Sequence, residues 1–313
     1  MGLVTERAGV VGLAAFLAID VVLVALAMGS THSAGSAATG AGPVGAAVTT
    51  TTTGAPATAA TSPGTGSTVR VDVAPVSVGL FALDQKTAVR FTVGSCDKGG
   101  SAVEVTQDGG ATWTSRPAPF QTVVRLRVRP DRSLFAVGAD QGGGCVPSIR
   151  HASSLSGSWG STSRAAGVWF RDPRSAATVG LPVGGTGKPC PGGAVTDLSM
   201  IDAGAAALCD SGEVLVSQSG SSWQSAGSVA GGLAVAVDSK SQPYAVVTGI
   251  AACRGLAVVR PAAPATVIGC VAMDLSRVTP GSVALSVAAD GGWLRVGSTV
   301  YRSDATLGTW TTA

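Results

Sequence analysis

Charged residues are scarce in this sequence, and their scarcity excludes one class of partner. Only 12% of its 313 residues are Asp, Glu, Lys or Arg, and the formal net charge is +3. No basic run with interleaved aromatic residues occurs, so we expect no nucleic-acid partner. Lysine is nearly absent while Ala, Gly and Val are abundant. This composition is typical of a high-GC bacterial source.

Histidine is scarce and closely spaced cysteines are absent, so the sequence contains no recognisable set of metal ligands. His151 is the only histidine beyond residue 68, and no Cys-x-x-Cys pair occurs. Zinc sites are built from such pairs or from several histidines. Gly-x-Ser-x-Gly, His-Glu-x-x-His and phosphate-binding loops are absent as well. The sequence therefore predicts no metal, no cofactor and no catalytic residue.

One long apolar run, residues 8–28, predicts a transmembrane helix, because it is about as long as a bilayer is thick. No Lys or Arg occurs from residue 8 to residue 69, whereas Arg7 precedes the run. The positive-inside rule then places the N-terminus in the cytoplasm and the rest of a single-pass cell-membrane protein outside. A cleaved signal peptide is the alternative, since Ala25-Leu26-Ala27 has the small-x-small form of a cleavage site.

Residues 29–68 predict a flexible linker. They contain no Asp, Glu, Lys or Arg and consist mostly of Ala, Gly, Ser, Thr and Pro. Such a segment buries too little apolar surface to offset the entropy lost on ordering. The predicted domains are therefore the N-terminus and anchor (1–28), the linker (29–68) and an extracytoplasmic domain (69–313).

Six cysteines lie beyond the linker, and an even number in an exported domain predicts disulfide bonds. Cys96 and Cys145 each follow a strand ending in Val-Gly, at similar points of adjacent repeats, which favours a bridge between repeats. Two further pairs would close short loops, although other pairings remain open. These pairs are Cys190 with Cys209 and Cys253 with Cys270.

The sequence predicts an all-β fold for residues 69–313, because short β-type runs alternate with Gly, Asp, Ser and Pro and no helical period is sustained. Four tryptophans mark a repeat: Trp113, Trp159, Trp223 and Trp310. The spacing predicts repeats of about 40–45 residues, typical of four-stranded β-propeller blades. We expect about five to six blades. The long second gap is interpreted as one unit with an insertion around residues 181–193, and residues 265–269 as a unit without tryptophan.

The stretch TQDGGATW resembles the Asp-box, S/T-x-D-x-G-x-T-W, of the sialidase, sortilin-type and photosystem assembly factor propellers. Every motif position matches, and later copies are degenerate. The matching residues are Thr106, Asp108, Gly110, Thr112 and Trp113, with Ser303, Thr309 and Trp310 in the last copy. The resemblance implies a propeller over residues 75–313. It also implies a structural turn, with the aspartate bonded to the backbone and the tryptophan packed between blades.

A sialidase would also need an arginine cluster, a tyrosine paired with a glutamate, and an acidic residue. Beyond the linker the sequence has two tyrosines and two glutamates: Tyr244, Tyr301, Glu104 and Glu213. The arginine motif expected ahead of the first box is missing, and FRDP (170–173) resembles it only loosely. A non-enzymatic propeller that binds a protein or a cell-envelope glycan is therefore the favoured interpretation, and a sialidase-type glycoside hydrolase is the alternative.

Three arginines stand out: Arg125, Arg127 and Arg129 alternate with apolar residues. On a strand they would share one face, because successive side chains point to opposite sides. One interpretation is an anion-binding stripe for a carboxylate, a phosphate or an acidic glycan. The other is a solvated face of extended side chains.

Overall fold

The structure is a computed structural model and describes residues 75–313, which belong to one compact unit, Gly66–Ala313. These residues form 23 strands and two short 3-10 turns, Gln141–Gly143 and Leu275–Arg277. No helix in this range is long and apolar enough to cross a bilayer. The predicted transmembrane helix, the alternative cleavage site and the predicted linker (29–68) all lie outside the described residues.

The strands form six sheets arranged as a six-bladed β-propeller, which confirms the all-β propeller prediction at this level. Each sheet is built from consecutive antiparallel strands. Blade 1 comprises β1 (Val78–Ala82), β2 (Ala88–Thr92), β3 (Ala102–Thr106) and β4 (Thr114–Arg116). Blade 2 comprises β5 (Thr122–Val128), β6 (Leu134–Ala139), β7 (Ser148–Ala152) and β8 (Ser163–Arg164). Blade 3 comprises β9 (Phe170–Arg171), β10 (Val179–Gly180) and β11 (Thr186–Gly187).

The second half of the chain forms three regular four-stranded blades. Blade 4 comprises β12 (Val195–Ile201), β13 (Gly204–Cys209), β14 (Glu213–Ser217) and β15 (Gln224–Ser228). Blade 5 comprises β16 (Gly232–Val237), β17 (Pro243–Val247), β18 (Gly255–Arg260) and β19 (Thr266–Ala272). Blade 6 comprises β20 (Val283–Ala288), β21 (Gly291–Val296), β22 (Thr299–Asp304) and β23 (Trp310–Thr312).

The first strand of every blade lies innermost, and each innermost strand contacts that of the next blade, including β20 with β1. The six innermost strands therefore enclose a central channel. We call the end where they begin the upper face and the end where they finish the lower face. Because neighbouring strands are antiparallel, the loops from second to third strands lie on the upper face.

Blade 3 is short, and this corrects the sequence interpretation of residues 181–193. That stretch is not an insertion within a repeat, since β11 lies inside it and completes a separate three-stranded sheet. The long tryptophan gap thus holds a reduced blade followed by blade 4, which raises the count to six. Residues 265–269, the unit predicted to lack tryptophan, fall in the outer part of blade 5, where β19 begins.

The core lies between blades, because both faces of a middle strand are covered by neighbouring sheets. All six residues of β6 and of β13 are buried. Small residues are required where neighbouring sheets approach closely: a Cβ on Gly227 of blade 4 would lie 2.5 Å from the backbone nitrogen of Ala262 in blade 5. The many Ala, Gly and Val residues of the sequence are thus the packing units of this core.

In the part of the chain that the structure describes, blades 1 and 6 meet without a shared sheet, and this contact closes the ring. Side chains of blade 6 donate to backbone carbonyls of blade 1: Trp293 Nε1 to Asp84 at 3.1 Å, Arg302 to Gln85 at 2.8 Å and Arg295 to Phe91 at 2.7 Å. Trp293 is fully buried, and its ring meets Trp113 edge to face at 6.3 Å. Side-chain contacts therefore provide most of the closure.

All six cysteines are paired, which confirms the prediction of disulfide bonds. The pairs are Cys96–Cys145, Cys190–Cys209 and Cys253–Cys270. The first joins the upper-face loops of blades 1 and 2, the second joins the segment after blade 3 to the end of β13, and the third lies within blade 5. The bridges therefore brace the side of the molecule where the innermost strands begin.

Candidate functional site

The central channel holds a cavity of about 1110 Å³, which is the candidate ligand site. Residues from the innermost strands of all six blades line it, together with the upper-face loops that carry Cys96 and Cys145. A concave pocket of this size at the axis of a ring is the usual place for a ligand.

The cavity wall is divided into an apolar part and a charged part. Blades 5, 6 and 1 contribute mostly aliphatic and aromatic residues, such as Val237, Leu285, Leu80 and Phe81. Of the charged residues that line the cavity, all but Asp97 come from blades 2, 3 and 4. They are Arg125, Arg127, Arg171, Asp172, Arg174, Asp197 and Asp202. A ligand that fills the cavity therefore meets charge on one side only.

Arg125 and Arg127 lie at the centre of the charged part. A register shift in β5 between Val123 and Arg125 leaves Val124 unpaired and sets the direction of both side chains. Arg125 donates to the carbonyl of Trp169 at 2.8 Å, and Arg127 donates to a carboxylate oxygen of Asp202. Asp202 belongs to the lower-face turn of blade 4, so this contact passes the short blade 3.

Both arginines are largely removed from solvent: their side chains are 6% and 13% exposed, whereas that of Asp202 is 83% exposed. Burial, and then the like charge of Arg127, lower the pKa of Arg125 to about 9, and Asp202 opposes this shift. The guanidinium still carries its charge at neutral pH. The Nε atoms of Arg125 and Arg127 are buried and have no hydrogen-bond partner among the described residues.

Arg129, the third arginine of the predicted stripe, does not line the cavity. Its guanidinium lies 5.5 Å from the ring centroid of Phe135, and that of Arg125 lies 5.2 Å from the same ring. The three arginines therefore differ in environment. Arg125 and Arg127 form the part of the stripe that a ligand in the channel could reach.

Two further carboxylates of the wall are held by neighbouring groups. Asp172 accepts three hydrogen bonds from Arg174, two of them from its guanidinium, and its pKa is lowered because these bonds outweigh burial. Asp197 accepts from the backbone N–H groups of Leu198 and Val235, which join β12 to β16. Burial nevertheless raises the pKa of Asp197 to about 6, although Arg171 attracts its charge.

The residues that sialidase chemistry would require do not line this cavity. Tyr244 is buried in blade 5 and donates to Asp238 at 3.2 Å, and Tyr301 lies on β22, the third strand of blade 6. Glu104 on β3 forms an ion pair with Arg90 at 2.8 Å, and Glu213 begins β14. Among the described residues, no tyrosine–glutamate pair therefore lines the channel.

The TQDGGATW stretch forms the turn from β3 to β4, at the periphery of blade 1. Thr106 Oγ1 donates to Asp108 at 2.7 Å, and the other carboxylate contacts come from the backbone N–H and the hydroxyl of Thr112. These bonds lower the pKa of Asp108 to about 2, with the Thr112 hydroxyl the largest cause. Gly109 and Gly110 have φ of 78° and 90°, a backbone region that favours glycine. Such contacts are those of a structural turn.

The other marker tryptophans also follow the connection from a third to a fourth strand. Trp159 donates to the carbonyl of Pro117 in blade 1 at 2.8 Å, and Trp223 meets Trp169 edge to face at 5.5 Å. Trp310 donates to Leu307 in its own turn, while Ser303 accepts from the backbone of Gly292. Thr309 bridges to Cys270 of blade 5. Membership of these turns in the Asp-box family stays a prediction.

Asp202, Asp197 and Arg171 are cavity residues that sequence reasoning missed. Arg171 belongs to the FRDP stretch, but the two aspartates stand singly in apolar surroundings and form no motif. Only the position of β12 as an innermost strand makes them part of the site. Within residues 75–313, no cluster of His, Cys, Asp and Glu is arranged to hold a metal ion.

A scan against protein-family models found no match, and a search of curated proteins found none either. Solved structures with similarity include YCF48 bound to D1 peptide, at 14% identity and TM-score 0.39 over 77% of this chain and 82% of that chain. YCF48 from Cyanidioschyzon merolae is 16% identical, with TM-score 0.36 over 77% and 86% of the two chains. PorZ of Porphyromonas gingivalis is 10% identical, with TM-score 0.39 over 77% and 33%. These similarities are remote, and the propeller assignment rests on the six sheets of this chain.

Proposed function

We propose that this protein is a membrane-anchored, extracytoplasmic binding or assembly module that holds part of a protein or a cell-envelope glycan in its central cavity, without catalysing a reaction. The anchor is proposed from the apolar run at residues 8–28. The binding site is proposed from the position, size and divided wall of the channel.

The observation that carries the non-enzymatic proposal is where the candidate catalytic residues lie. Tyr244, Tyr301, Glu104 and Glu213 all occupy second, third or outer positions in their blades, away from the cavity lining. A nucleophile must come within hydrogen-bond reach of its base and of the substrate. Placing these four around a channel ligand would require different strands to become innermost.

The Arg125–Arg127 pair supports an acidic group in the ligand. Guanidinium groups with free N–H donors in a largely dry wall bind carboxylate or phosphate oxygens strongly. The opposite apolar wall, with Leu80, Phe81 and Leu285, favours a ligand with an apolar body. The solvated-face interpretation of the arginine stripe is not supported for Arg125, which is 5% exposed.

Asp197 is the one observation that favours the alternative, a glycoside hydrolase. It lines the cavity and its raised pKa, about 6, is the kind that a general acid needs. However, both of its carboxylate oxygens accept backbone N–H groups that connect two blades. This role in the wall is structural, and we rank the binding module first.

The two functions are separated by assaying the full chain against a panel of fluorogenic glycosides, with Asp197→Asn as the matched variant. The binding module predicts no turnover above that of the variant. Crosslinking in native membranes, followed by mass spectrometry, should then identify a partner linked near the cavity rim. Turnover that Asp197→Asn abolishes would establish the hydrolase instead.

Membrane topology needs its own test. A C-terminal reporter that is active only outside the cytoplasm should be active when fused to the full chain, because the proposed anchor exports everything after residue 28. Activity of a cytoplasm-only reporter at the same position would contradict the proposal.

A further inference from the structure

The short blade 3 leaves room in the channel wall that long side chains of blade 2 fill. Its innermost strand, β9, has two residues, whereas the innermost strands of the other blades have five to seven. Arg125 and Arg127 extend past it to Asp202 on the far side. The charged part of the wall therefore exists because one blade is reduced.

Charge in this part of the wall is balanced except at one place. Arg174 neutralises Asp172, with which it forms an ion pair at 2.8 Å, and Arg171 attracts Asp197. Asp202 alone faces both Arg125 and Arg127. One positive charge is therefore left over at the arginine pair. Two buried Nε atoms of this pair also have no hydrogen-bond partner within residues 75–313.

Asp202 is more exposed and less firmly held by hydrogen bonds than the other carboxylates of the cavity wall. Its side chain is 83% exposed, and among the described residues it contacts the two arginines, with Arg125 as distant as 3.9 Å. By contrast, Asp172 is 5% exposed, and Asp197 accepts two backbone hydrogen bonds. The carboxylate of Asp202 is well solvated whether or not it is paired, so it loses little on leaving. The buried arginines do need a negative partner, and an incoming oxyanion supplies one.

We propose that Asp202 is a displaceable internal competitor: it occupies the oxyanion subsite formed by Arg125 and Arg127, and the acid group of an organic anion with an apolar body takes its place. The inference rests on the proposed binding function and names the chemical class of its ligand. Displacement leaves Asp202 in solvent at the lower face, so binding is coupled to a change in the turn between β12 and β13.

Competition has a signature that electrostatic repulsion lacks. If the ligand must displace Asp202, removing this carboxylate increases the affinity for every anion by the same factor. The reason is that the same Asp202–arginine contact no longer has to be broken. If the ligand binds beside Asp202 and is merely repelled, a dianion gains more than a monoanion, because the Coulomb energy scales with charge.

The test measures binding of benzenesulfonate, a monoanion, and phenyl phosphate, a dianion at pH 8, to the full chain by titration calorimetry. The two probes share an aromatic ring and a tetrahedral oxyanion. The variants are Asp202→Asn, Arg127→Gln and, as the control, Asp210→Asn. Asp210 is an exposed aspartate of the same blade that does not line the cavity.

We expect Asp202→Asn to strengthen both probes equally, by on the order of tenfold, and Asp210→Asn to leave both unchanged. Arg127→Gln should weaken both, and if that variant fails to fold, the Asp202→Asn comparison still decides. Unchanged or weaker binding in Asp202→Asn overturns the proposal, as does a much larger gain for phenyl phosphate. Absence of binding in every variant overturns the subsite, whereas the binding-module proposal is overturned separately, by glycoside turnover.

Discussion

At the scale of single residues, Asp108 shows how a carboxylate in a conspicuous motif is used entirely within its own turn. Its oxygens receive hydrogen bonds from Thr106 and Thr112, in a turn at the edge of blade 1 rather than at the cavity. A carboxylate bound in this way contributes to stability through its ionised form.

Asp108→Ala should therefore lower the melting temperature by several degrees at neutral pH and leave binding by the folded protein unchanged. The pKa of Asp108 is depressed to about 2, so its contribution is present above about pH 4 and is lost as pH falls through about 2. Thermal melts of both proteins from pH 7 to pH 2 should converge in acid.

The control is Asp210→Ala, which removes an exposed carboxylate outside such a turn and should melt close to wild type. Loss of ligand binding in Asp108→Ala with an unchanged melt would contradict the structural role.

Asp197 should show the opposite dependence on pH. Its folded pKa is raised to about 6 by burial, so the folded protein holds a proton that the unfolded chain releases near pH 4. This contribution is present at low pH and is lost as pH rises through about 6. Relative to Asp197→Asn, which does not titrate, wild type should lose stability between pH 4 and pH 7 in chemical denaturation. A difference independent of pH would show that Asp197 titrates normally.

At the scale of strands and blades, long regular elements could be predicted from the sequence and short ones could not. The alternation in β5 marked Arg125 and Arg127, and the tryptophans marked the turns before outer strands. Strands β9, β10 and β11 have two residues each, too few to display any period, so the sequence predicts an insertion where the structure has a reduced blade. Asp202 was missed for a related reason, since its partners are in blade 2 and only the ring brings them together.

The disulfides act at this same scale, and their effects should differ with the length of chain enclosed. Cys96 and Cys145 are separated by 49 positions, and Cys253 and Cys270 by 17. Chain entropy predicts a loss of about 4 kcal/mol on replacing the first pair by serine and about 3 kcal/mol for the second. Guanidinium unfolding of the two double variants measures both losses. A smaller loss of stability for the first pair than for the second would indicate that the Cys96–Cys145 disulfide constrains the unfolded chain little.

At the scale of the whole molecule, the ring depends on the contact between its first and last blades. Arg295, which is 7% exposed, donates to carbonyls of blade 1 and to Gly297 of its own blade. Removing a buried charged donor leaves these carbonyls without partners. The contact closes the ring, so damage to it should affect all six blades.

Arg295→Met should therefore destabilise the protein by about 3 kcal/mol, with tryptophan fluorescence and far-UV circular dichroism reporting one shared transition. Arg260→Met is the matched control, because Arg260 is exposed and contacts Tyr244 within blade 5. It should have little effect. Equal melts for the two variants would mean that the ring closes without help from Arg295.

Because side chains close the ring, the number of blades in such a propeller can change during evolution without disrupting a sheet. Within residues 75–313 every blade is built from consecutive strands, and none combines strands from the two ends of this range. Duplicating or deleting one such blade leaves every remaining sheet intact. The only new requirement is that the surfaces of the two blades brought together pack against each other. Shortening a blade, unlike deleting it, keeps the number of blades, and the short blade 3 shows the result: the ring still has six sheets, and the space left at the axis is lined by long charged side chains of blade 2.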